Sequence, residues 1–588
     1  MEANETTTKA PTPKTQPLKR KRLPAVGKKN SKKPPTDPLS STGSAQEVLA
    51  FDVAALREQL DQVTLQHKDG AREEEEALPD EGTEITVRVV KLSSTGEGLA
   101  VLEDGGEKTG EDGESEKMLR QRQIYAVAYT IPGDIARVKI YRHGDSHSVA
   151  DLVEIITPGR DRDDGLIKCR YFGKCQGCQL QMVPYEYQLE HKQVVVKRAY
   201  ENLSGLEEKD VPEVRRTIGS PLEYGYRTKL TPHFDGPPGA RRRRKRDKNA
   251  RHETCPDIGF MMKGRTIDIE DCPIGTEVIR KGLTRERERM KKEFGNYGNG
   301  ATILLRESTE RFDKNDENIP EIIPEVAVRV TGEDRVDIKT CISDFNALTT
   351  EYVDSHVFVN PAGAFFQNNN SILPIFVEYI RKQIHPPTTA ATASSHPKIK
   401  YLLDAYCGSG FFTICLSSLF ASSVGLDVAE SSIKCAAENA RRNNLPPTTK
   451  FVAAPANQLF GMVEFPPDET VVVIDPPRKG CDELFLNQLL RFGPRRVLYV
   501  SCNVHTQARD VGYLVRGGRG DVQEEENEEP EAKESKEEKK NDEGVKTDEE
   551  NKGKLVRYEV ESLVGFDFFP QTHHVEGVAV LSRVDNRA

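Results

Sequence analysis

The pattern of apolar and polar positions is most regular at residues 401–427, where an apolar strand leads into a glycine-rich turn, a helix and a second strand. The first strand ends at Asp404, and Gly408 and Gly410 form a tight turn whose backbone N–H groups can approach a ligand closely. The second strand closes with Asp427, about 20 residues after the glycines, where a carboxylate can bind a ribose hydroxyl pair. The pattern predicts a βαβ unit that binds a nucleoside.

A dinucleotide site is the alternative for this turn. The full G-x-G-x-x-G spacing is absent, however, because Phe411, Phe412 and Thr413 follow Gly410. Taken alone, a Gly-x-Gly pair is a structural turn about as often as it is a cofactor site. The choice between the two therefore depends on the elements that follow.

Before residue 349 the pattern divides the chain into three parts. Residues 1–80 are rich in Thr, Pro, Lys and Glu and predict a disordered tail, with one helix-like patch at 48–63. Residues 81–160 contain short β-rich runs separated by turns, which predict a small five-stranded barrel. Residues 161–348 predict a mixed α+β central domain with a cysteine cluster, which is followed by an amphipathic helix from Pro184 to Leu203.

Within this central domain, residues 223–234 predict a strand that carries Tyr226, Arg227 and Lys229. Aromatic and basic side chains interleaved on a strand suit base stacking and phosphate contact. An edge strand with solvated charges explains the same residues equally well.

Residues 349–588 predict an α/β domain with a doubly wound parallel sheet, interrupted by a Glu/Lys-rich insertion at about 517–554. Ligands of such sheets bind outside the carboxyl ends of the strands. Strands ending at Asp475 and Cys502, and a last strand beginning at Glu576, therefore carry candidate site residues. A helix starting near Thr506 is expected to lower the pKa of the Cys502 thiol.

Composition and charge narrow the class of protein. Only 36% of the 588 residues are hydrophobic and 30% are charged, so part of the chain is expected to remain unpacked. The net charge of −10 does not exclude an anionic partner, because basic residues cluster at 19–22 and 241–246. The first of these runs resembles a nuclear localisation signal or a nucleic-acid-binding arm.

Eleven cysteines, without a signal peptide or a long apolar run, predict an intracellular protein with reduced thiols. Cys169, Cys175 and Cys178 have C-x5-C-x2-C spacing, and Cys272 is the best candidate for a fourth ligand, with Cys255 as its rival. Three soft thiolates on a short loop can bind one cluster or ion. The spacing favours a 4Fe-4S cluster over zinc or no metal.

Taken together, the motifs CxxxxxCxxC, FFQNN, DAYCGSG, IDPPR, VSCN and THHVE occur in an order that resembles the uracil-C5 RNA methyltransferase family. The barrel resembles the TRAM domain, an OB-like RNA-binding module, and the resemblance covers residues 84–584. It implies a class I, Rossmann-like S-adenosylmethionine methyltransferase domain behind the TRAM barrel and the central domain.

The resemblance also implies roles for individual residues. Cys502 is the nucleophile and Glu576 the base, whereas Gln367, Tyr406, Asp427 and Asp475, with Gly408 in the turn, bind S-adenosylmethionine or orient the site. Uracil C5 is a weak nucleophile, so a thiolate must first add at C6, and a base must later remove the C5 proton. Burial should raise the pKa of that base.

The expected partner is RNA, with the T-loop uridine of tRNA as the first candidate target. The base must be flipped out of its stack, because stacking hides C5 and C6. Methylation of ribosomal RNA and a non-catalytic RNA-binding or RNA-folding role are the alternatives. We expect a monomer without membrane attachment, in the nucleus or cytoplasm rather than the mitochondrion.

Overall fold

The computed structural model describes residues 39–66, 78–103, 123–237, 252–385, 398–454, 460–518 and 555–584. The predictions for residues 1–38, for the basic run 241–246 and for the insertion from 519 to 554 lie outside these residues. In the described part of the chain, no helix combines the length and the apolar character needed to cross a membrane.

The predicted five-stranded barrel is confirmed, with the closed strand order β1-β2-β3-β5-β4. Its strands are β1 (Glu84–Leu92), β2 (Glu97–Leu102), β3 (Tyr125–Ala128), β4 (Ile135–His143) and β5 (Ser148–Thr157). Alternate residues such as Val87, Val89 and Val138 fill the interior, as a pleated strand requires. On β4 the residues between them, Lys139 and Tyr141 among them, are exposed.

Helix α1 (Ala45–Gln66) packs on the outside of this barrel. Its Val53 and Leu56 are buried with Leu99 and Val101 of β2. The disordered tail predicted over residues 1–80 is therefore wrong for this helix, since the apolar face within the 48–63 patch finds a partner on the barrel.

The chain around α1 also contacts residues that are distant in the sequence. The Asp52 carboxylate accepts a hydrogen bond from the Ser94 amide at 2.6 Å, which fixes the helix to the barrel. Just before the helix, the Ser41 carbonyl accepts one from the Arg509 guanidinium at 2.7 Å. The Gly43 carbonyl accepts one from the Asn503 amide at 3.3 Å. Helix α1 thus joins the barrel to the segment that follows Cys502.

The middle of the chain forms two four-stranded sheets, of order β10-β9-β8-β11 and β13-β14-β12-β7, and the hairpin β15-β16. The strands are β7 (Lys229–Leu230), β8 (His233–Asp235), β9 (Gly259–Met262), β10 (Arg265–Asp268), β11 (Gly300–Thr302), β12 (Leu305–Asp313), β13 (Val328–Thr331), β14 (Arg335–Ile342), β15 (Leu348–Val353) and β16 (His356–Pro361). Helix α3 (Glu277–Glu293) packs against β12 and β14 with Val278, Ile279 and Leu283.

The strand predicted over residues 223–234 is wrong for most of its length, because only β7 and the start of β8 form there. Tyr226 is 2% exposed, and its hydroxyl donates to the Pro570 carbonyl at 3.1 Å. It therefore supports the protein interior and does not present a stacking surface.

The largest sheet has eight strands in the order β19-β18-β17-β20-β21-β23-β22-β6. The strands are β6 (Val214–Ile218), β17 (Tyr401–Ala405), β18 (Ser422–Asp427), β19 (Thr449–Ala453), β20 (Thr470–Ile474), β21 (Arg496–Ser501), β22 (Arg557–Phe566) and β23 (Glu576–Val584). Strands β17 to β21 pair in parallel, and β23 runs antiparallel to β21. This sheet confirms the predicted βαβ unit and α/β class.

Helices cover both faces of this sheet. They are α2 (Tyr185–Leu203), α4 (Leu373–Ile384), α5 (Phe411–Leu416), α6 (Glu430–Arg442), α7 (Glu483–Phe492) and α8 (Val504–Arg516). Along β20, Val472 and Ile474 belong to the core layer of α2, α7 and α8, and Val471 and Val473 to the layer of α4 and α5. A strand buried on both faces needs this continuous apolar run.

The boundary predicted at residue 348 is wrong for α2 and β6. Strand β6 pairs in parallel with β22 at the edge of the large sheet, and α2 packs against α8 and β22. This part of the predicted central domain therefore belongs to the large sheet and its covering helices.

Candidate active site

The parallel register brings three predicted residues together at the carboxyl ends of β17, β18 and β20. Ala405, the last residue of β17, pairs with Leu426 on one side and with Ile474 on the other. The next residue of each strand is therefore Tyr406, Asp427 or Asp475. Adjacent strands lie about 4.8 Å apart, so these three residues lie side by side at the carboxyl ends of their strands.

Cys502 and Glu576 meet across the neighbouring antiparallel pair. Ser501 of β21 pairs with Gly577 of β23, which sets Cys502 opposite Glu576. Side chains directly opposite in such a pair have Cβ atoms about 5 Å apart. The charge of Glu576 and that of Asp475 both raise the pKa of the Cys502 thiol, so the three groups lie within electrostatic reach of one another.

The glycine turn is bound to Asp427. Gly408 and Gly410 have positive φ angles of 53° and 90°, a region that side chains disfavour. The Asp427 carboxylate accepts hydrogen bonds from the Gly408 amide at 3.0 Å and the Ala429 amide at 2.8 Å. A Cβ on Gly408 would meet no atom within 4 Å, so the space beside this residue is open.

Tyr406, beside this turn, is held in a strained backbone conformation with φ of 66°. Its ring packs on Phe485 with centroids 5.1 Å apart. A buried network lies behind it, in which the Asp510 carboxylate accepts from the Tyr499 hydroxyl at 2.6 Å and from the Cys481 amide at 2.7 Å. The ring position is thereby fixed by packing on Phe485.

Gln367 lies in the loop between β16 and α4 and is half-buried. The ring of the preceding Phe366 packs on Phe411, the residue after Gly410, with centroids 6.0 Å apart. The loop that carries Gln367 therefore reaches the glycine turn. Phe365 in the same loop is 74% exposed; it was not identified from the sequence, where exposure cannot be seen.

Three acidic side chains near the ends of these strands have raised pKa values. Burial raises the pKa of Asp404 and of Asp475 to about 7, and the charge of Asp404 contributes to the shift of Asp475. Burial and the charge of Asp475 also raise the pKa of Glu576 well above its usual range. Neither carboxylate oxygen of Glu576 has a hydrogen-bond partner among the residues that the structure describes. The raised pKa predicted for Glu576 is confirmed, and its role as the base stays a prediction.

The prediction for the Cys502 thiol is wrong. Asn503 caps α8 directly after Cys502, and its side-chain oxygen accepts from the His505 amide at 3.2 Å. Burial and the charges of Glu576 and Asp475 nevertheless raise the pKa of the thiol to about 12. Desolvation and two nearby carboxylates outweigh the helix N-terminus, whose effect decays within its first turn.

Arg478 is the cation that opposes this effect. Its charge and its hydrogen bonding both lower the pKa of the Cys502 thiol, and its charge lowers that of Glu576. Its backbone carbonyl is held by the Asn503 amide at 3.0 Å and the Thr506 hydroxyl at 3.1 Å. The sequence analysis quoted this arginine in IDPPR without assigning it a role, although a cation directly after Asp475 and its two prolines was the available signal.

The four cysteines predicted as metal ligands lie near one another. Cys272 shifts the pKa of Cys178, and Cys169 and Cys175 shift that of Cys272, which burial raises to about 12. Cys255 lies instead among the charges of Arg287, Asp268 and Lys291.

These thiols are not arranged as a finished metal site. Within the described ranges, no group of three or more His, Cys, Asp or Glu side chains is placed to hold a metal ion. Burial raises the pKa of all four thiols, and neighbouring sulfurs add to the shift at Cys175, Cys178 and Cys272. A metal that binds here would displace the thiol protons.

Comparison with known proteins identifies close relatives. The chain is 38% identical over 504 residues to the tRNA (uracil(54)-C(5))-methyltransferase of Schizosaccharomyces pombe, which covers 85% of this chain and 78% of that protein. It is 35% identical over 526 residues to the enzyme of the same name from Saccharomyces cerevisiae, covering 85% and 73%. No protein-family model matches the chain.

A solved structure has the same fold. The Pyrococcus abyssi tRNA (uracil-54, C5)-methyltransferase in complex with S-adenosyl-L-homocysteine aligns with a TM-score of 0.51 and 21% identity, covering 84% of this chain and all of that one. This likeness agrees with a class I methyltransferase fold for the large sheet. From the identity and coverage of the two yeast relatives, the chain belongs to the tRNA (uracil-C5)-methyltransferase family.

Proposed function

We propose that this protein transfers a methyl group from S-adenosylmethionine to C5 of uridine 54 in tRNA, as the names of its yeast relatives state for those enzymes. The observation that carries the proposal is the pairing of Cys502 with Glu576 beside an open glycine turn. A thiol and a base on opposite sides of one small pocket suit addition to a pyrimidine ring followed by proton removal.

The residues around the turn fit the methyl donor. The backbone at Gly408 borders open space, Asp427 can accept from ribose hydroxyls through its remaining lone pairs, and Tyr406 forms a wall for the adenosine. Gln367 is assigned to the methionine end. When bound, S-adenosylmethionine would supply the sulfonium methyl group.

The reaction requires two proton movements by the protein's own residues. Cys502 first releases its proton to solvent, and the thiolate sulfur forms a bond to C6 of the uracil, which makes C5 an enolate carbon, while Glu576 remains a carboxylate. After C5 has received the methyl group, Glu576 removes the C5 proton, the C6–S bond breaks and the thiolate leaves. Arg478 assists both steps, because its charge stabilises the thiolate and the Glu576 carboxylate.

Exposed side chains provide contacts for the RNA. Phe365 can stack on a flipped base beside the pocket. On the barrel, Lys139, Tyr141 and Arg142 are exposed on β4, and the Lys263 ammonium lies 5.8 Å from the Tyr141 ring centre. This basic and aromatic strip supports a TRAM-like RNA-binding role for the barrel.

Transfer of labelled methyl from S-adenosylmethionine to tRNA transcripts tests the function. We expect incorporation into a transcript with uridine at position 54 and none into a matched transcript with cytidine there. Transfer to ribosomal RNA only would favour the alternative substrate. Transfer to neither RNA would favour a non-catalytic RNA-binding role.

We also propose that Cys169, Cys175, Cys178 and Cys272 hold an iron–sulfur cluster or a zinc ion once their thiols are deprotonated. The proposal rests on the donor set, since four sulfurs within electrostatic reach suit either centre.

Analysis of iron, sulfide and zinc in the purified protein tests this site. Cys272→Ser should lose the metal, whereas Cys255→Ser should retain it, because Cys255 lies among a different set of charges. The opposite result would make Cys255 the fourth ligand. Absence of metal from protein purified without oxygen would refute the site.

A further inference from the structure

The turn between β22 and β23, residues 567–575, delivers Glu576 to the pocket and contains a strained residue. Gln571 is 2% exposed and has a positive φ of 73°. A residue other than glycine adopts this conformation only where its surroundings enforce it. The groups that enforce it belong to residues 179–188, far away in the sequence.

Gln188 of α2 binds Gln571 twice. Its side-chain oxygen accepts from the Gln571 amide at 2.9 Å, and its side-chain nitrogen donates to the Gln571 side-chain oxygen at 3.1 Å. Gln188 itself is 1% exposed. A buried amide that satisfies both its donor and its acceptor specifies a single position for its partner.

The two residues after Cys178 bind the backbone carbonyl of Gln571. The Gln571 carbonyl accepts hydrogen bonds from the Gln179 amide at 2.9 Å and the Leu180 amide at 3.1 Å. These two residues directly follow Cys178. The amide, the carbonyl and the side chain of Gln571 are thus all bound by residues 179–188.

A fully buried ion pair fixes the beginning of the turn. The Lys192 ammonium, one helical turn beyond Gln188, donates to the Asp567 carboxylate at 2.5 Å and to the Phe569 carbonyl at 3.0 Å. Both side chains are wholly inaccessible to solvent. Breaking such a pair is costly, so the turn is anchored at both Asp567 and Gln571.

We infer that Gln571 and Gln188 are positioning residues for the catalytic base: the α2 and cysteine-loop contacts to Gln571 set the place of the Glu576 carboxylate. The inference rests on the proposed function, in which Glu576 removes the C5 proton. Neither glutamine touches the reacting atoms. Displacing a catalytic group by about 1 Å can slow a reaction by about 100-fold, so a small shift of this turn is sufficient.

The inference predicts a specific kinetic signature for Gln188→Leu, which keeps the side-chain size. The substitution removes both hydrogen bonds to Gln571, together with those that the Gln188 side-chain nitrogen donates to the Leu180 and Val183 carbonyls at 3.2 and 3.4 Å. We expect kcat for tRNA to fall by at least about tenfold, with KM within about twofold of wild type. Cys502 still adds to the uracil while proton removal is slow, so the fraction of enzyme trapped as a denaturation-resistant RNA adduct should rise. Gln193→Leu is the matched control, because Gln193 lies on the same helix and donates to the Val214 carbonyl at 2.7 Å.

Each outcome decides the matter. A Gln188→Leu protein that behaves like Gln193→Leu would overturn the inference, as would a proportional loss of kcat and adduct, which indicates only less folded protein. If Gln188→Leu does not fold, Gln571→Gly is judged by the same criteria, since glycine accepts the positive φ and removes only the side-chain contact. Glu576→Gln is run in parallel, and failure of that variant to accumulate adduct would overturn the proposed mechanism and the inference with it.

Discussion

Replacing Cys502 with alanine is expected to abolish both methyl transfer and the covalent RNA adduct. Without a sulfur to saturate C6, C5 of the uracil does not become nucleophilic. Loss of a covalent nucleophile leaves only positioning and electrostatic effects, so the rate should fall by about 10⁴-fold or more. The measurements are labelled methyl transfer to tRNA and gel detection of an RNA adduct that resists denaturation.

Cys435→Ala is the matched control for this variant. Cys435 is a half-buried cysteine on α6, and the proposed reaction does not use it. We expect this protein to methylate tRNA at the wild-type rate. An adduct that persists in Cys502→Ala would show that another group attacks the base, and Cys502 would then lose its assigned role.

Replacing Glu576 with glutamine is expected to stop turnover after the methyl group has been transferred. Glutamine matches the shape of glutamate but does not accept the C5 proton. The loss of general-base catalysis predicts a decrease of about 10²- to 10⁴-fold in turnover, together with accumulation of the adduct. Equal loss of adduct and methylation would instead assign Glu576 to an earlier step.

Although Glu576→Gln is expected to stop turnover, it is also expected to increase the stability of the folded protein. Burial raises the pKa of Glu576 in the folded protein, so the favourable contribution of its neutral form is lost as pH rises through that pKa. At neutral and alkaline pH, Glu576→Gln should therefore be more stable than wild type, by about 1–3 kcal/mol. Thermal unfolding at increasing pH should show a widening difference in Tm. A variant that becomes relatively less stable as pH rises would contradict the assigned pKa direction.

The sequence was sufficient for the elements that have strong local patterns. The strand, glycine turn and helix at 401–416 follow from apolar runs and two glycines, and the positive φ angles of Gly408 and Gly410 confirm the turn. The positions of Asp475 and Cys502 at strand ends follow from the same logic. The pairing of Cys502 with Glu576, in contrast, depends on the register between two strands separated by a long insertion, and local pattern does not determine it.

The misjudged features depend on long-range packing. Tyr226 resembles a stacking residue in sequence, but its hydroxyl binds the Pro570 carbonyl more than 340 residues away. The pKa of Cys502 depends on carboxylates contributed by β20 and β23, whereas the sequence shows only the helix beside it. Helix α1 is buried because the barrel offers it an apolar surface.

The attachment of α1 at both of its sides has a consequence for how the substrate is accommodated. Asp52 is fixed to the barrel, and the carbonyls of Ser41 and Gly43 are fixed to the segment after Cys502. These contacts hold the barrel in one position relative to that segment. Because the protein is preorganised in this way, we expect the RNA to undergo the larger conformational change on binding. The free energy of unstacking the target nucleotide is then a property of the RNA. Transcripts whose target uridine unstacks easily should be the better substrates.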